Sequence, residues 1–169
     1  MKPKIRGETW RSDLLREGIT YVHPTDVLTL LNTHPNIIPC SRCSKTKPTK
    51  IGKGVPKELY ISRPNLRFYT WCERMGYKYM ILSDKYGAHF WDEELEFYDI
   101  HPMELTNADF HHLAVLIKNK TTNRGYSGFL FYYNSPLMSV PYFHMMLLTG
   151  LDVFFCSTLP KTNIKGFGL

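Results

Sequence analysis

Two short segments gather the residue types that hold phosphate or act as nucleophiles: Cys43-Ser44-Lys45-Thr46-Lys47-Pro48 and Leu82-Ser83-Asp84-Lys85-Tyr86-Gly87. Alternate lysines bring point charge to an oxyanion, and the backbone N–H groups of a tight loop complete such a site. Ser44, Lys45 and Lys47 are therefore candidate phosphate ligands, with Ser83, Lys85 and Tyr86, beside Gly87, as the facing wall. Asp84 carries less weight. The sulfur of Cys43, next to Lys45, is a candidate nucleophile because a neighbouring cation favours the thiolate. A small buried residue at a tight turn is the competing use of the same cysteine. Downstream, Asp99 is a candidate acid or base, although an acidic block is more often a solvated face. Tyr60, Tyr98 and Trp91 offer rings on which a base stacks, or fill the core.

The elements that must position these groups follow from the pattern of apolar residues. Four short apolar runs read as strands: residues 36–39, 77–82, 128–133 and 152–156. Between them lie segments of helical spacing. One, with Leu66, Tyr69, Trp71, Cys72 and Met75, is opened by Ser62 and closed by Gly76. A second carries Phe110, Leu113, Leu116 and Ile117 behind a Thr106/Asp109 capping box, and a third carries Tyr142, Met145, Met146 and Leu148. Strand and helix alternate, which predicts an α/β three-layer sandwich around a mainly parallel four-stranded sheet. Residues 1–35 read as an arm with two short helices, near 12–17 and after Pro24, packed on a single domain spanning 36–169. In a parallel sheet the strand-end loops emerge along one edge, where open α/β folds bind ligands.

The chain has 169 residues, 43% hydrophobic and 14% aromatic, enough for one domain with its own core. No run of about 18 apolar residues is present and no signal-peptide pattern follows the charged N-terminus. The expected setting is cytoplasmic, away from membranes, with four reduced cysteines. Cys40 and Cys43 have CxxC spacing, but without a second pair they predict no zinc site; no metal or cofactor is expected. The net charge of +6 is unevenly placed: six Lys and Arg between Arg42 and Lys57, then six acids between Asp92 and Glu104. A basic loop with glycines suits a phosphate backbone, so nucleic acid or a nucleotide is the expected partner.

Between Cys43 and Pro102 the chain resembles a widespread set of uncharacterised bacterial, archaeal and phage domains. Their Cys-Ser-Lys-Thr-Lys strand end is matched at Cys43–Lys47, their Leu-Tyr-x-Ser element at Leu59–Ser62, their Leu-Ser-x-Lys-Tyr/His-Gly strand end at Leu82–Gly87, and their Glu-x-Tyr-Asp element at Glu96–Asp99. More distantly, the first strand end is similar to the Pro-Cys-Ser motif in the core domain of archaeosine synthase, with either Cys40 or Cys43 as the counterpart. That resemblance implies a uracil-DNA glycosylase-like fold and a tRNA or DNA base-modification context. The glycosylases' water-activating loop has no counterpart at Pro39–Cys43, and Asn134–Ser139 is only faintly similar to their second motif. The expected site comprises Cys43 and Asp99 as catalytic residues. Its ligand-binding residues are Ser44, Lys45, Lys47, Tyr60, Ser62, Ser83, Lys85, Tyr86, Gly87 and Tyr98. The alternative is a non-catalytic RNA- or DNA-binding module that uses the basic loop 42–57.

Overall fold

The computed structural model describes residues 2–44 and 52–161. In chain order the elements are α1 (Trp10–Arg16), β1 (Thr20–Tyr21), α2 (Val27–Thr33), β2 (Ile37–Arg42), β3 (Lys53–Gly54), α3 (Pro56–Leu59), α4 (Arg63–Met75) and β4 (Met80–Ser83). They continue with β5 (Gly87–Phe90), β6 (Leu95–Glu96), α5 (Asn107–Asn123), β7 (Gly128–Tyr132), α6 (Val140–Leu148) and β8 (Asp152–Cys156). The main sheet has the order β1-β8-β7-β2-β4-β5, parallel throughout except for β5, while β3 and β6 form a small antiparallel ribbon.

Among the described residues the sheet has six strands where four were expected. The four expected segments form its parallel centre, β4-β2-β7-β8, and nearly all their side chains are buried because helices cover both faces, Arg42, Asp152 and Phe154 excepted. Phe68 of α4 stacks on Tyr132 on one face, while Phe143 of α6 meets Phe131 on the other. Adjacent strand residues point to opposite faces, so these two contacts define the outer layers. The first strand continues past Pro39, because Cys40, Ser41 and Arg42 pair with Met80, Ile81 and Leu82.

The two added strands are edges. The arm supplies β1, which pairs with Phe154 and Phe155 of β8. The chain after β4 turns at Asp84-Lys85-Tyr86 and returns as β5, a hairpin rather than an open loop. Gly87 makes this return possible. Its φ is +75°, and a Cβ there would lie 2.9 Å from the carbonyl oxygen of Leu113 in α5. Only glycine takes both the left-handed backbone and the close approach of the helix.

Helix boundaries follow local chemistry. The Ser62 side chain accepts from the Asn65 N–H at the start of α4, and Gly76, at φ +74°, ends that helix. Thr106 and Asp109 close a capping box on α5. No helix among the described residues is long and apolar enough to cross a membrane.

Candidate functional site

Sheet order fixes where a site forms. From β2 the chain moves to β4 on one side, whereas from β7 it moves to β8 on the other, so the connections leaving β2 and β7 diverge. Ligands of open α/β sheets sit in the crevice outside the strand ends at such a reversal. A pocket of about 190 Å3 lies there, lined by Arg42, Cys43, Ser44, Asp84, Asp99, Ile100, His101, Pro102 and Tyr142.

Three polar side chains meet at the buried side of this pocket. The Arg42–Leu82 register and the bond from the Cys43 N–H to the Leu82 carbonyl (2.9 Å) bring the ends of β2 and β4 level. Cys43 and Asp84, each just past its strand, are therefore neighbours: the Cys43 thiol donates to Asp84 Oδ2 at 3.3 Å. Tyr142, in the first turn of α6, donates to the same oxygen at 3.2 Å and lies 3.3 Å from the sulfur. All three residues are buried. Burial, with Cys43 and Asp84 adding to it, holds the Tyr142 phenol well above its ordinary pKa, so it remains a donor at neutral pH.

Arg42 forms the rim. Its guanidinium lies 4.7 Å from the ring centre of Tyr142 and 5.0 Å from that of Tyr133, and it donates to the carbonyls of Met138 (2.5 Å) and Cys43 (3.2 Å). The Arg42 carbonyl accepts from Asn65 Nδ2 at 2.7 Å. Asn65 is itself held by Ser62, whose hydroxyl donates to Asn65 Oδ1. Ser62 thus serves the strand end from the start of α4. Across the pocket, His101 Nδ1 accepts from the Met103 N–H, which leaves Nε2 to carry the ring proton.

Beside this triangle runs a one-way chain of buried hydrogen bonds. His89 Nε2 lies 2.6 Å from the Glu93 carbonyl, which can only accept, so that nitrogen carries the proton. Burial also depresses the His89 pKa and keeps the ring neutral, so Nδ1 accepts from Tyr60 at 3.1 Å. Tyr60 in turn accepts from Tyr98 at 3.2 Å, and Tyr98 from Ser83 at 2.7 Å. Ser83 Oγ accepts the backbone N–H groups of Lys85 (3.2 Å) and Tyr86 (3.0 Å). The chain therefore shapes the turn that presents Asp84.

Of the expected site residues, Cys43, Ser44 and Asp99 line one pocket. Tyr60, Ser83 and Tyr98 do not line it but bond to one another behind it. Lys85 is exposed, with its ammonium 5.2 Å from the Tyr86 ring centre, and Tyr86 donates to the Glu96 carbonyl. Gly87 packs under α5. Lys45 and Lys47, with the rest of residues 45–51 of the basic loop, lie outside the described residues. The structure adds Tyr142, Arg42 and His101 and moves Asp84 to the centre. The sequence signal for Asp84 was its position directly after a strand; Tyr142 stood among apolar helix residues and carried none. Comparison with protein families, with curated proteins and with solved structures finds no match to this chain.

Proposed function

We propose that the protein binds a nucleobase or nucleotide in the Cys43–Asp84–Tyr142 pocket, within the modification of tRNA or DNA bases. The observation that carries this reading is the buried thiol–carboxylate–phenol triangle facing a small pocket at the reversal of strand order. The volume is about that of six water molecules, at ~30 Å3 each, which suits one flat ring system better than an extended ligand. Asp84 accepts from a ring or exocyclic N–H, Tyr142 donates, and the Cys43 thiol, passing its proton to Asp84, adds through sulfur to an electrophilic ring carbon, the C=N electron pair moving to the ring nitrogen, which takes up a proton. Asp99 and His101 stand at the solvent side for proton transfer. Arg42, held flat against two tyrosines, supplies positive charge for an adjoining phosphate.

Thermal shift with a panel of mononucleotides tests it. A ligand present at 100 times its Kd raises stability by about 2.7 kcal/mol. We expect at least one nucleotide to raise the wild-type Tm by clearly more than it raises that of Asp84→Asn. Protection by a polymer alone, with no mononucleotide effective, would favour the non-catalytic binding module and remove the base pocket.

A further inference from the structure

A second cavity, of about 670 Å3, opens at the C-terminal ends of β7 and β8 against α4. Its volume lies within the range of small-molecule sites. Its chemistry is one-sided. Arg67 and Arg74, both exposed and seven residues apart on α4, share a face and stand about 10 Å apart along the helix. Among the described residues no carboxylate lines the cavity and neither arginine belongs to an ion pair. Trp71, Leu159 and Pro160 give an apolar wall, while Asn134 and Ser157 offer hydrogen-bonding edges. Such a lining asks for an anion joined to a flat, partly polar group.

The end of β7 links this cavity to the Cys43 pocket. Tyr132 and Asn134 face the cavity, whereas Tyr133 between them lies under Arg42 of the pocket. The two sites stand back to back across one stretch of chain.

We propose that the α4 cavity binds a phosphorylated nucleoside, its phosphate held by Arg67 and Arg74 and its base against Trp71. The anionic, flat character of the ligand comes from the cavity itself; its identity as a nucleotide rests on the reading of the Cys43 pocket. Guanidinium groups match phosphate oxygens in paired hydrogen bonds.

With the Cys43 pocket silenced by Asp84→Asn throughout, the test compares the wild-type cavity, Arg67→Ala/Arg74→Ala, and the charge-matched control Lys4→Ala/Lys118→Ala, whose cations do not line the cavity. Two probes are used: adenosine 5′-monophosphate by calorimetry, and a short fluorescein-labelled single strand by anisotropy at several salt concentrations. We expect the arginine pair to weaken binding by about tenfold or more and the control to match the wild-type cavity. If the source is a strand, the double arginine change also lowers the salt slope by about 0.7, the value for one single-strand phosphate. If the source is the free nucleotide, adenosine monophosphate binds at least as tightly as the strand. Wild-type affinity in the arginine variant for both probes, or no binding of either probe to the wild-type cavity, overturns the proposal. The Cys43 pocket is read separately, by Asp84→Asn, so failure here leaves that result standing.

Discussion

Replacing Tyr98 by Phe removes one hydroxyl from the middle of a directed chain, and the chain fixes what is lost. The Ser83 proton loses its acceptor at 2.7 Å, and the Tyr60 oxygen loses its Tyr98 donor at 3.2 Å. Both groups are buried. A buried polar group left without its partner costs about 1–3 kcal/mol, so the pair amounts to about 3 kcal/mol after partial relaxation. For a domain of this size that corresponds to a Tm lower by roughly 9 °C. Tyr86→Phe is the contrast, because the Glu96 carbonyl it bonds belongs to an exposed residue and turns to water; about 0.5 kcal/mol is expected there. Urea unfolding followed by tryptophan fluorescence, with m held common, measures both. A cycle with Ser83→Ala adds a check, since residues in one network couple by about 1–2 kcal/mol. If Tyr98→Phe costs no more than Tyr86→Phe, or shows no coupling to Ser83, the directed chain is wrong.

Gly87→Ala brings a Cβ to within 2.9 Å of the Leu113 carbonyl oxygen at a φ of +75°. Backbone strain of about 1 kcal/mol and overpacking of about 2 kcal/mol should lower the urea midpoint accordingly, whether or not ligand is present. The His89 pKa is lowered in the fold chiefly by burial, as is that of His144. The unfolded chain therefore takes up protons first as the pH falls below about 6.5, and stability declines from there towards the folded-state values. Equilibrium unfolding between pH 7.5 and 5 should show this slope, and His89→Gln should reduce it without abolishing it. A slope of the opposite sign contradicts the neutral His89 assignment.

Much of the architecture was legible because burial on both faces writes itself into the sequence. Val153, Phe155, Ile81 and Leu82 read as strand because helices cover both sides of the sheet, and Ser62, Gly76 and the Thr106/Asp109 pair mark helix ends by local chemistry alone. The edge strands were not legible. Gly87-Ala88-His89-Phe90 lacks β-branched residues and owes its conformation to α5, while Thr20-Tyr21 is too short to carry a pattern and is specified by β8. The site divides the same way. Cys43 and Asp99 stand out by their own side chains and line the pocket, whereas Tyr142 looks like any aromatic on a buried helix face. Its role depends on where the β7–α6 connection places the first turn of that helix, which is a property of the tertiary fold. Tyr60 and Tyr98 read in the sequence as stacking or core-filling rings and Ser83 as a polar group at a strand end, but only the geometry reveals that their hydroxyls bond in series.

The central claim is that a nucleobase-bearing ligand sits against Cys43. Cys40, Cys72 and Cys156 are fully buried, and of the four cysteines Cys43 is the one that lines this pocket. Iodoacetamide labelling of the native protein, read by intact mass and peptide mapping, therefore reports on the pocket. We expect a single adduct at Cys43, and a rate that falls in proportion to occupancy when a binding nucleotide or oligonucleotide is added. Labelling of Cys43 at an unchanged rate in the Arg67→Ala/Arg74→Ala variant, saturated by a nucleotide or nucleic acid that it demonstrably binds, would place the ligand outside both the α4 cavity and the Cys43 pocket and contradict the account.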